Sequence, residues 1–138
     1  MILISNKQQY YNEINTMSKK KNNFFYIATY NLNIDNNVMQ ILSNLKKSSK
    51  DIKIIIGLSN SSNKQISFLK YKLRDFQIRI FNNSHLKMIV SDNSAIIGGR
   101  NLTNSDWKDT GVKFQNKQSI LKLKSEFLKN FSSKSGLL

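Results

Sequence analysis

His85-Leu86-Lys87-Met88-Ile89-Val90-Ser91-Asp92-Asn93-Ser94-Ala95-Ile96-Ile97-Gly98-Gly99-Arg100-Asn101 is the stretch from which the rest of the chain can be read. It holds the only histidine of the protein, with Lys87 two residues further on. The apolar runs Met88-Ile89-Val90 and Ala95-Ile96-Ile97 predict two short strands around the polar turn Ser91-Asp92-Asn93-Ser94. Side chains alternate along a strand, so a strand through His85 sets His85 and Lys87 on one surface. A neutral imidazole can attack phosphorus, and a fixed ammonium can hold the phosphate under attack. The pair Gly98-Gly99 carries no Cβ, which lets a ligand come close to the backbone.

Outward from this hairpin, the same patterns give the remaining elements. Phe24-Phe25-Tyr26-Ile27-Ala28-Thr29-Tyr30 is a continuous apolar run, expected to be a strand buried on both faces. Asp35 is the expected cap of a helix carrying Val38, Ile41, Leu42 and Leu45, and Ile52-Lys53-Ile54-Ile55-Ile56 follows as a strand. Strand, helix, strand in this order predicts a βαβ unit with parallel pairing. A helix over 5–20, capped by Ser5, precedes it. A third helix over 64–75 is built on Ile66, Leu69 and Leu73, and Ile78-Arg79-Ile80-Phe81 is a further strand. Gly111-Val112-Lys113-Phe114 predicts another strand, and 117–131 a closing helix with Ile120, Leu123, Phe127 and Phe131 on one face. With 138 residues and no linker or repeat, the expectation is one α/β domain over 1–138, a mixed sheet flanked by helices.

Composition narrows the chemistry. The chain has no Cys, which excludes disulfides, thiolate metal sites and cysteine nucleophiles. One His argues against a His-based metal centre. Formal net charge is +14, and eight acidic residues face 22 basic ones, an excess that favours a polyanionic partner. Nineteen of the basic residues are Lys and three are Arg. Lys contacts phosphate as a point charge while Arg does most base reading, so the expected partner is a nucleic-acid backbone, with weak sequence preference. No secretory leader is visible and no apolar run approaches the ~20 residues of a membrane helix, so the expectation is a cytoplasmic protein without stable membrane insertion.

The stretch 85–101 resembles the HKD signature of the phospholipase D superfamily: His, one residue, Lys, four residues, Asp, then a pair of small residues and an Asn. His85, Lys87, Asp92, Gly98-Gly99 and Asn101 fall on those positions, and Leu102-Thr103 continues the likeness. Five residues separate Asp92 from the glycine pair, one fewer than is usual in the family. The resemblance implies a phospholipase D-like α/β fold and metal-independent phosphodiester transfer without a cofactor. It makes His85 the nucleophile, with Lys87 and Asn101 binding the non-bridging oxygens and Asp92 supporting them by hydrogen bonds. Gly98, Gly99 and Thr103 would contact substrate. The family's mechanism uses two histidines. With one per chain, the resemblance implies a twofold homodimer with a composite active site. The acid that orients the His in the family has only Asp106 and Asp109 as candidates, neither cleanly in register.

Two other activities are open at this point. A phospholipid hydrolase of the cardiolipin type uses the same chemistry but calls for an apolar membrane-facing patch. A nucleic-acid-binding module that has lost catalysis would keep the charge, and the shortened spacing and unassigned acid would fit it. A nuclease of low specificity for DNA or RNA accounts for charge, size and motif together.

Overall fold

Alternation along one central strand organises two layers of helix. A computed structural model describes residues 1–30, 32–58, 63–82, 86–98 and 110–133. Its elements are β1 (Ile2–Ile4), α1 (Lys7–Lys19), β2 (Asn22–Thr29), α2 (Asn36–Ser48), β3 (Ser49–Leu58), α3 (Asn63–Lys72), β4 (Gln77–Asn82), β5 (Met88–Ser91), β6 (Ala95–Gly98), β7 (Gly111–Phe114) and α4 (Lys117–Phe131). The strands form one mixed sheet in the order β1-β7-β6-β5-β2-β3-β4. β2, β3 and β4 run parallel, joined through α2 and α3, while β5, β6 and β7 continue from β2 as an antiparallel meander.

Phe25 and Ile27 of β2 point into a core shared with Tyr10, Ile14 and Met17 of α1, Val38, Ile41 and Leu45 of α2, and Leu69 and Leu73 at α3. Phe24, Tyr26 and Ala28, the intervening residues, point to the opposite face and pack with Ile120 and Phe127 of α4. Every residue of β2 except Asn23 is buried, as an apolar run covered by helices on both sides must be. Phe127 is fully buried, and its ring stacks on Tyr26 with centroids 4.8 Å apart.

Local signals place most helix starts. The Asp35 carboxylate accepts from the Val38 N–H at 2.9 Å and caps α2 as expected. The first helix differs from its expected form. Its cap is Asn6, whose side chain accepts from Gln9 N at 2.9 Å, and it spans 7–19 rather than 5–20. Ser5 instead donates its N–H to the Gln9 side chain at 3.1 Å, so Gln9 reaches back to the residue before the cap while Asn6 accepts from its backbone. The third helix stops at Lys72 and gives way to a turn over 73–75. Lys113 was expected only as a strand residue. It is 6% exposed and its ammonium is ion-paired with Glu13 of α1, the partner that makes a buried cation tolerable. No helix among the described residues is long and apolar enough to cross a membrane.

Candidate active site

The β5–β6 hairpin carries the described part of the motif. Its register is Met88↔Ile97, Ile89↔Ile96 and Val90↔Ala95, closed by the turn 91–94, as the apolar runs predicted. The turn is held by Ser91 N donating to Ser94 O at 2.9 Å and by Ser94 N donating to the Ser91 hydroxyl at 3.3 Å. At the other, open end of the hairpin, Gly98 N donates to Lys87 O at 3.1 Å. Lys87 therefore sits one residue ahead of β5, directly across from Gly98.

That pairing lies on a row that crosses the sheet. Gly98 is paired with Gly111, and Gly111 with Ile4. On the other side, the β2–β5 register extended by one residue sets Lys87 opposite Thr29, which is paired with Ile56, itself paired with Ile80. Ile4, Ile56 and Ile80 all face the α1–α3 core, so the row presents one face to that layer. β2, β3 and β4 end at this edge, β6 ends there, and β5 and β7 begin there. Lys87 and Gly98 thus meet where the parallel strands reach their C-termini, the usual location of ligand sites on open α/β sheets.

Gly98 has φ +74°, a left-handed conformation that disfavours a side chain. A Cβ there would lie 3.2 Å from the Thr110 carbonyl oxygen. The glycine is thus needed for close approach of β6 to the start of β7, which is the neighbour relationship that shapes this edge. Thr29 is a member of the row that the sequence reading passed over. The residue is buried (3% exposed) at the end of an otherwise apolar run. A polar residue at the last position of a doubly covered strand was the signal.

Asp92 is not brought to this edge. It lies at the turn end of the hairpin, five residues from Lys87, which along a strand is about 16 Å. Both of its carboxylate oxygens accept from Asn23 N at 3.0 Å, and they take further hydrogen bonds from Phe24 N at 3.3 Å and Asn23 Nδ2 at 3.2 Å. Next to it Asn93 Nδ2 donates to Asn22 Oδ1 at 3.1 Å. Asp92 was expected to bond near Lys87 or the His; its carboxylate caps the first N–H groups of β2 and pins the hairpin to that strand, and His85 lies outside the described residues. β5 begins at Met88, so Leu86 and Lys87 precede the strand they were expected to join. His85, Gly99, Asn101 and Thr103, together with Asp106 and Asp109, lie outside the described residues.

The sequence matches no family model and no curated protein. Its fold is shared with solved structures. NucT from Helicobacter pylori superposes with a TM-score of 0.73 at 20% identity, over 94% of this chain and 91% of that one. Nuc from Salmonella typhimurium, a phospholipase D family member, matches with a TM-score of 0.63 at 20% identity, over 86% of this chain and 82% of that one. This is the phospholipase D fold. TrmBL2, an archaeal chromatin protein with a novel mode of DNA binding, contains the same fold (TM-score 0.70, 14% identity, 96% of this chain), and the chain spans about half of it, 49%. The fold shared with these structures agrees with the α/β architecture implied by the motif.

A second polar cluster lies on the α4 face, away from this edge. The Tyr26 hydroxyl donates to Asp51 at 2.6 Å, and Lys53 donates to the same carboxylate at 2.6 Å. Burial, then the Asp51 carboxylate, pushes the Tyr26 phenol far above its ordinary range. Burial of Asp51 acts to raise its pKa, but hydrogen bonds from Lys53 and Tyr26 outweigh it and hold the carboxyl below its usual value. These shifts belong to a structural ion pair at the start of β3.

Proposed function

We propose that this chain is a metal-independent phosphodiesterase, and specifically a nuclease of low sequence specificity acting on DNA or RNA. The observation that carries the proposal is the position of Lys87 beside Gly98 at the C-terminal edge of a phospholipase D fold, in a sequence that reads H-x-K at that point. The net charge of +14 supports a polyanionic substrate. In this reading a His85 nitrogen attacks phosphorus and forms a P–N bond as the P–O bond to the leaving alcohol breaks. The His85 of a second copy protonates that oxygen. Water then attacks the phosphohistidine, gives its proton to the second imidazole, and releases a phosphomonoester with both histidines restored. Lys87 and Asn101 hold the non-bridging oxygens and offset their charge in both transition states. The stoichiometry of two histidines makes the working unit a homodimer with one composite site.

Cleavage of plasmid, single-stranded DNA, RNA and cardiolipin in excess EDTA, by wild type and His85→Ala, tests this. Cutting of nucleic acid that survives chelation and disappears in the variant is the expected result, with sedimentation at twice the chain mass. The DNA binding described for TrmBL2, on the same fold, favours one alternative: a binding module without catalysis. Tight, salt-sensitive binding with no cleavage of any substrate would replace the nuclease reading with that one. Turnover of cardiolipin alone would replace it with a phospholipid hydrolase.

A further inference from the structure

Amphipathic helices place apolar side chains on the buried stripe and polar ones opposite. α3 breaks this rule on one side only. Leu69 and Leu73 are buried and Ile66 packs against the same core, which sets the direction of the buried stripe. At 100° per residue, Lys64, Phe68 and Tyr71 point the opposite way, at the centre of the outer face. Phe68 is 52% exposed and Tyr71 62% exposed. Two aromatic rings one turn apart thus stand on solvent where Lys, Gln or Ser would cost nothing.

The rings stand among cations. Lys72 lies over the Phe68 ring, 5.8 Å from its centroid, and the Arg74 guanidinium lies 4.6 Å from the centroid of Tyr71. Arg74 also donates to the Tyr71 carbonyl at 3.0 Å, which fixes the pair as a unit. Lys64 and Lys70 are exposed on the same helix. Asp75, the acid nearest in sequence, is engaged with Lys46 of α2 at 2.7 Å. Flat rings offer a face to stack on, and the cations around them offer phosphate contacts. A single strand of nucleic acid uses both, because its bases are free to stack on protein while its backbone lies along the charge. In a duplex the base faces are already stacked on one another, leaving only the phosphates to be met.

We infer that the outer face of α3 is a docking platform for single-stranded nucleic acid, with Phe68 and Tyr71 as base-stacking plates and Lys64, Lys72 and Arg74 as phosphate contacts. β3 and β4 are parallel, so α3 begins at the edge where β3 ends, the edge that carries Lys87 and Gly98. A strand lying on the platform therefore leads toward the candidate active site. The inference rests on the nucleic-acid reading above and deepens it by naming the strand form of the substrate.

The test measures binding in the His85→Ala background, where no cutting is expected, by fluorescence anisotropy. The probes are a labelled oligothymidylate and a labelled duplex of equal length. Phe68→Ser/Tyr71→Ser is expected to weaken single-strand binding about tenfold or more, as the loss of two stacked bases implies, and to leave duplex binding within about twofold. Phe68→Trp/Tyr71→Trp restores single-strand binding, which separates stacking from folding. Lys64→Gln/Lys72→Gln weakens both probes and flattens the salt dependence. Unchanged single-strand affinity in the serine variant, or an equal loss on both probes, overturns the platform. So does a shift to a smaller sedimenting species with single-strand affinity retained, which would make the face a contact between copies. Cutting by the His85-containing protein is measured separately. If it is absent while the ring-dependent single-strand binding holds, the nuclease reading fails and the platform stands.

Discussion

The two ends of the β5–β6 hairpin, built from one motif, are put to different uses. At the turn end the Asp92 carboxylate is consumed by the chain itself, by three donors of Asn23 and Phe24. At the open end Lys87 and Gly98 meet on the row where the parallel strands finish. A motif read as one constellation thus divides into a part that pins the hairpin to β2 and a part that carries the chemistry proposed above. A polar residue at fixed spacing within a motif need not share the task of its neighbours.

Variants can break that division, beginning with the largest effect. His85→Ala is expected to reduce phosphodiester cleavage by roughly a thousandfold or more, with the melting temperature within a degree or two of wild type. Lys87→Ala should lower kcat about 100-fold or more, the loss seen when a transition-state donor is removed. If either change instead unfolds the protein with no effect on residual activity per folded molecule, the open end is structural.

Asp92→Ala reverses the pattern. It leaves two backbone N–H groups at the start of β2 without their acceptor, and urea unfolding should show a loss of about 1–2 kcal/mol, since the turn is partly open to water. Cleavage at low temperature should stay near wild type. A large fall in kcat at unchanged stability would mean that Asp92 reaches the chemistry after all. Gly98→Ala stands between the two ends. Its φ of +74° and the 3.2 Å approach to Thr110 O predict about 1–2 kcal/mol of destabilisation together with reduced cleavage, because the row that carries Lys87 is displaced.

The smallest effect is in the pH dependence of stability. Asp51 has a depressed pKa in the folded chain. Its contribution is present above the unfolded carboxyl value of about 3.9 and is lost as pH falls through the folded one. Tyr26 has a raised pKa, so its contribution is whole below about pH 10 and declines as pH rises above that. Thermal melts of Tyr26→Phe and Asp51→Asn across both limits should be flatter than those of wild type. Identical slopes would show that the pair has no linkage to folding.

How far the sequence could be read follows from which forces are local. Caps and periodicity act over a few residues, and so Asp35, the run Phe24–Tyr30 and the hairpin around 91–94 were legible, with the first cap displaced from Ser5 to Asn6 and the ends of β2 and α3 shifted by a few residues. Lys113 was not legible as a buried cation, because Glu13, which makes burial tolerable, lies 100 positions away. Thr29 was not legible as a neighbour of Lys87 either, since no spacing rule links residues 29 and 87.

By itself the sequence determined the α/β class, the places of the helices and of every strand but the three-residue β1 at Ile2–Ile4, the cationic character, and a histidine–lysine pattern suited to phosphoryl chemistry, because propensity, alternation and residue type are properties of short stretches. Only the tertiary structure decided that Asp92 serves β2, that Gly98 must be glycine to admit β7, and that Phe68 and Tyr71 stand outside the core. Each of these depends on which strand or helix lies alongside, and strand order and packing are set by the burial of the whole chain rather than by any segment of it.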